Sequence, residues 1–274
     1  MANPNPPEAS APPAEDDSTA KMSFFDHLAE LRRRILYSLV AVGFGFVLGF
    51  YFSEPAYEFL ARPMIAALRA AGFTDQQMIY TSPLGALRLY LTVGLYLGVV
   101  IALPVVLHQL WLFVAPGLYR HERRAVLSFL FSGTALFLAG TAFGYYLALP
   151  PTLRFVLGFE GPFRPMISIN EYFDLVLIIL LGLGVIFQLP ILIFILTLFG
   201  LVTPRFLWKN FRYAVLVIAI LSAVVTPTTD ILTMTVFMAP MILLYLLGIG
   251  VSYVVVRRRR AQQEAAKKEA LARP

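Results

Sequence analysis

Stretches that contain no Asp, Glu, Lys or Arg divide this chain into regular blocks. Six of them, Ile35 to Phe52, Leu89 to Tyr119, Ala125 to Leu153, Leu175 to Pro204, Tyr213 to Thr229 and Ile231 to Val256, are dominated by apolar residues and separated by charged connections. A hydrocarbon core of roughly 30 Å needs about 20 helical residues at 1.5 Å each, so each stretch predicts a membrane-crossing helix. The fifth is short, with an apolar part confined to Tyr213–Val225, and is expected to sit in a locally thinned bilayer. Pro104, Pro190 and Pro240 fall inside the stretches, where proline bends a helix and frees a carbonyl. The expected fold is an all-α polytopic membrane protein of six kinked helices forming a concave bundle.

The connections carry their own signals. Ser53 to Pro83 and Leu149 to Asn170 are the longest and are punctuated by proline, which predicts ordered caps with short helical pieces. The first twenty residues are rich in Pro, Ala, Ser and acids, show no helical period and lack the basic and apolar regions of a secretory signal, so they are expected to be disordered and retained. The chain thus divides into a disordered cytoplasmic tail (1–22), a six-span membrane domain (23–256) and a basic cytoplasmic tail (257–274).

Composition agrees with a membrane solvent. Hydrophobic residues make up 59% of the chain and charged ones 14%, with a mean hydropathy of +0.75, against roughly 25% charged in soluble domains. The net charge of +6 does not point to nucleic acid, because the basic residues cluster beside the apolar runs. Seventeen Lys and Arg fall on the side that holds the two ends and the second and fourth connections, four fall in the outer connections, and Arg88 stands at a helix entrance. The positive-inside rule then places both termini in the cytoplasm and the protein in the cell inner membrane. Cysteine is absent, which removes disulfide, thiolate and iron–sulfur chemistry.

Four features could carry a function. FFDHLAELRRRI, Phe24 to Ile35, reads as an amphipathic helix with Glu30 facing Arg33 and Arg34 at i+3 and i+4. It is either an interfacial anchor with a surface ion pair or a carboxylate offered to a cytoplasmic ligand. QLWLFVAPGLYRHERR, Gln109 to Arg124, turns at Ala115-Pro116-Gly117 and sets Trp111, Phe113 and Tyr119 near Glu122. That loop could clamp a cationic peptide through its carboxylate and aromatic faces, or be an aromatic belt with Glu122 neutralised by Arg120 and Arg123. Gln188, two residues before Pro190 in GVIFQLPILIF, either bonds a neighbouring helix or docks a partner helix. In TPTTD, Thr226 to Asp230, either Thr228 or Asp230 is suited to cap the last helix. No catalytic or metal constellation appears, since the three histidines are scattered and no HExxH, P-loop or nucleophile elbow is present. That speaks against an enzyme, and no cofactor is expected; the spans also hold no ionisable relay, which speaks against an ion-coupled pump, and no inverted repeat, which speaks against a secondary transporter.

FDHLAELRRRI, LHQLWLFVAPGLYRHERR, FQLPILIF and VTPTTD with the later APM together resemble TatC, the multispanning receptor subunit of the twin-arginine translocation system, over about Ser23 to Tyr253. The resemblance implies recognition of paired-arginine signal peptides on folded cargo. It also implies a multimeric complex with single-span partners of the TatA and TatB type, surrounded by membrane lipids. It puts the signal-binding carboxylates on Glu30 and Glu122 and the loop aromatic on Phe113, with Arg120, Arg123 and Arg124 as orienters. Pro63 falls on a functionally sensitive family proline, read as a rigid turn, and Pro116 and Asp230 on further sensitive positions. The chain departs from many relatives in carrying Gln188 where they have glutamate, and in the extra residue before Asp230. A small-solute transporter is the alternative.

Overall fold

A computed structural model describes residues 24–73, 78–114, 126–158, 166–226 and 230–272. The expected disorder of residues 1–22 lies outside them. The described residues are almost wholly helical: α1 (Phe24–Tyr51), α2 (Ser53–Ala70), α3 (Gly85–Val114), α4 (Val126–Phe143), α5 (Leu149–Leu157), α6 (Ile169–Ile186), α7 (Leu189–Leu198), α8 (Pro204–Lys209), α9 (Phe211–Val225) and α10 (Ile231–Ala272). Five stretches among them are long and apolar enough to cross a membrane: Leu28–Tyr51, Gly85–Phe113, Phe129–Leu157, Ile169–Leu198 and Ile231–Gln262. The sixth apolar helix, α9, has 15 residues, or roughly 22 Å of helix against a core of about 30 Å.

The three prolines inside spans behave differently. Pro190 sits in the first turn of α7, and the helix breaks just before it, at Phe187–Gln188. Pro104 and Pro240 lie inside unbroken helices, α3 and α10. A second interruption is a single π-helical turn, Gly144–Ala148, which joins α4 to α5. The basic tail is no separate piece at its start: α10 runs through Val256 and Arg257 to Ala272, in a segment of Ala, Glu, Gln and Lys with high helix propensity.

α1 packs on α3 by close backbone approach. A Cβ on Gly45 would lie 2.5 Å from the carbonyl oxygen of Gly98, one on Gly49 would overlap the carbonyl of Gly94, and one on Gly98 would come within 2.6 Å of the Phe46 nitrogen. Gly45-xxx-Gly49 and Gly94-xxx-Gly98 thus face each other, the small-residue arrangement by which helices associate in lipid, where apolar side chains gain nothing by leaving the hydrocarbon. The face of α1 turned away from α3 is left uncovered by the protein, with Val40, Phe44 and Val47 exposed.

The two long connections form one cap. Ile79 pairs with Ser168 in an isolated parallel bridge, with Ile79 N–H donating to Ile167 O and Ile169 N–H to Ile79 O, both at 3.0 Å. Leu60, Met64 and Leu68 of α2 are buried with Leu149 and Leu153 of α5 and Phe173 of α6. Tyr57 stacks on Phe173 at 5.4 Å, and burial, with Tyr80 and Tyr90 nearby, pushes its phenol above the usual range. Pro63 lies inside α2, not in the rigid turn expected of it. Proline offers no N–H to the carbonyl four residues back, which here belongs to Phe59, and that oxygen instead accepts the Tyr145 hydroxyl at 2.8 Å. The neighbouring Leu60 oxygen accepts the Tyr172 hydroxyl at 2.7 Å, so two tyrosines from other helices hold α2 at the proline.

Candidate functional site

Glu30 and its partners form a polar lock between the foot of α1 and the end of α3. The Glu30 carboxylate accepts from the Arg34 guanidinium at 3.0 Å, with Arg33 at 4.0 Å. Arg34 also donates to the side-chain oxygen of Gln109 on α3 at 3.2 Å. The side chains of Glu30 and Arg34 are only 10% and 19% exposed. The ion pair is therefore not the surface pair that helical spacing alone suggested; it is sheltered at a helix–helix contact, where a charge depends on its partners.

The glycine contact between α1 and α3 brings these groups within reach, and the i, i+4 spacing aligns Arg34 with Glu30 on one helix face. The sequence motif singled out Glu30 but not Gln109, whose only signal was its place in the LHQLW run. Two residues on, Trp111 is buried with its ring 4.8 Å from Phe129 of α4, and Phe113 packs against the same apolar cluster. Pro116, Arg120, Glu122, Arg123 and Arg124 lie outside the described residues.

Gln188 occupies the break between α6 and α7. Its Nε2 donates to the Gly133 carbonyl of α4 at 3.0 Å, and its Oε1 is buried without a donor among the described residues. Pro190 opens the backbone beside it. Asp230 caps α10: its Oδ2 accepts from the Thr233 N–H at 2.6 Å, one of the two capping candidates, the other, Thr228, being outside the described residues. On the opposite end of the bundle Arg88 and Asp174 join α3 to α6 at 2.6 Å, but both are about half exposed, so the pair contributes little. Among the described residues no group of His, Asp or Glu could hold a metal ion.

The family profile described as "Sec-independent protein translocase protein (TatC)" matches residues 26–240. The chain belongs to the TatC family. It is 49% identical to the Sec-independent protein translocase protein TatC of Koribacter versatilis over 248 residues, 89% of this chain and 91% of that protein. It is 36% identical to the TatC of Desulforapulum autotrophicum over 247 residues, 90% of each. A crystal structure of the twin arginine translocase receptor TatC superimposes with a TM-score of 0.71 and 31% identity, covering 84% of this chain and 99% of that one. Membership sets aside the small-solute transporter, and the family is one of membrane protein translocation, not a known enzyme family.

Proposed function

We propose that this TatC-family chain is the receptor that reads the paired arginines of signal peptides on folded cargo, with Glu30 and Glu122 as the guanidinium acceptors. The observation that carries the reading is the sheltered Glu30 carboxylate, fixed by Arg34 and tied through it to Gln109. A carboxylate held at a helix foot keeps its geometry without the entropy loss of an exposed side chain. It can accept two parallel bonds from an arriving guanidinium, a geometry open to Arg and closed to Lys. Phe113 borders the loop that carries Glu122, and Arg120, Arg123 and Arg124 orient that carboxylate.

Both termini lie in the cytoplasm, so the Glu30 helix and the Glu122 loop share the face where a signal peptide first arrives. The apolar part of the signal then lies along the bundle, burying hydrocarbon surface. Single-span partners of the TatA and TatB type dock at the break around Gln188 and Pro190, where the Gln188 oxygen still lacks a donor, and build a multimeric complex in the inner membrane. No bond is made or broken by this chain. A strain lacking its own TatC, complemented with this chain and with its Glu30→Gln/Glu122→Gln variant, tests the reading. Export of a folded, cofactor-loaded twin-arginine substrate is expected with the first and not with the second; equal export by both would contradict it.

A further inference from the structure

The groove between α3, α4, α7 and α10 is separate from the carboxylate site, shares only Pro190 with the break at which partner docking is proposed, and encloses about 570 Å3, within the roughly 300–1,000 Å3 of small-molecule sites. Its α10 wall begins with Leu247, Val251 and Val255 and continues with Arg258, Arg259 and Gln262. Steps of three and four place all six on one face of a continuous helix, so the wall changes from apolar to cationic within about one turn. From Leu247 to Gln262 the helix rises roughly 22 Å, more than half of a 30 Å core and less than the whole. That is the depth of one leaflet with its headgroup.

Trp111, on the α3 wall of the same groove, supplies an independent pointer to a ligand. It is 1% exposed, and its indole N–H is buried without an acceptor among the described residues, whereas a buried tryptophan N–H ordinarily finds one. An apolar floor, one unsatisfied donor and a two-arginine rim are complementary to an amphiphile with hydrocarbon, ester oxygens and a negative headgroup.

We propose that the groove holds one anionic phospholipid of the adjoining leaflet. Arg258 and Arg259 hold its phosphate, an ester carbonyl accepts from Trp111, and an acyl chain lies against Val251 and Phe194. The leaflet is the cytoplasmic one under the orientation given above, but the site itself uses none of the carboxylate residues and stands or falls without them.

Native mass spectrometry of the full chain in detergent, titrated with phosphatidylglycerol or with phosphatidylcholine of the same acyl chains, tests this. Phosphatidylglycerol is expected to bind in preference. Arg258→Gln/Arg259→Gln should weaken it roughly 30-fold, the loss of two basic contacts with an anionic lipid. Arg257→Gln/Arg260→Gln, an equal change of net charge on residues that do not line the groove, should leave binding nearly unchanged. Ser132→Trp, which fills the groove from α4, should reduce binding of either lipid while circular dichroism shows the helices intact. Equal loss in both arginine variants would reveal charge attraction without a site and overturn the proposal, as would equal affinity for the two lipids. A photoreactive group at Val251 in membranes should label lipid; capture of a signal peptide or of a single-span partner in place of lipid would also overturn it.

Discussion

Arg34 of α1 donates to the side-chain oxygen of Gln109 on α3 at 3.2 Å, across 75 residues of sequence. The bond joins two of the motifs that carry the family resemblance and makes the position of Glu30 depend on α3. Removing Arg34 would leave the sheltered Glu30 carboxylate with only the more distant, exposed Arg33 at 4.0 Å, at a cost of up to about 3 kcal/mol. Arg34→Leu is therefore expected to lower thermal stability in detergent more than Glu30→Leu/Arg34→Leu, in which no charge is stranded. Equal midpoints for the two would show that the pair contributes nothing to the α1–α3 contact.

Gly98 is expected to be intolerant of a single methyl group. Its Cβ would meet the backbone of Phe46 and Gly45, which cannot move aside as a side chain can, and overpacking of this kind costs about 1–3 kcal/mol. A methyl group on Gly43, on the same helix as Gly45, would meet nothing within 4 Å, so Gly43→Ala should be neutral or gain up to about 1 kcal/mol from helix propensity. Thermal unfolding of the two variants measures the contrast. Spin labels at Tyr37 and Leu110, introduced as cysteines into a chain that has none, should report a wider distance for Gly98→Ala alone.

Tyr145→Phe should destabilise the cap formed by the two long connections by about 1 kcal/mol, the usual net value of one hydrogen bond. In a Pro63→Ala background the loss should shrink, because an alanine N–H can satisfy the Phe59 carbonyl from within α2. A double-mutant cycle on unfolding midpoints reads this coupling directly; a cost for Tyr145→Phe that is the same in both backgrounds would dissociate the tyrosine from the proline.

Gln188→Leu is expected to cost about 1 kcal/mol through loss of the bond to Gly133, seen in the unfolding midpoint. It should also weaken co-purification of the single-span partners. Co-purification at the level of the unsubstituted chain would move the docking surface elsewhere.

The helical character and the placement of the long apolar helices were legible in the sequence because hydrocarbon tolerates neither unpaired backbone nor scattered charge, so uncharged runs such as Leu175 to Pro204 report helix directly. The break at Gln188–Pro190 was legible for the same reason that proline cannot continue a hydrogen-bond ladder. Pro63 was misread by the same rule: its place inside α2 rests on the hydroxyl of Tyr145, more than eighty residues away, which no local pattern contains. The tail after Val256 was read by charge and so cut from a helix that its Ala, Glu and Lys residues continue. GFVLG at Gly45 and GLYLG at Gly94 stood in plain view as small-residue pairs, yet which pair meets which is a fact of tertiary packing. The i+4 partner of Glu30 was readable from one helix; Gln109, which makes the pair a lock between two, was not.

Affinity for a peptide bearing two arginines, compared with the same peptide bearing two lysines, tests the central claim most directly when measured by cross-linking in membranes to the unsubstituted chain and to Glu30→Gln/Glu122→Gln. The unsubstituted chain should prefer the arginine peptide by tenfold or more, about 1.4 kcal/mol of bidentate bonding, and the double variant should bind both peptides weakly and alike. Undiminished, arginine-selective cross-linking to the double variant would contradict the account.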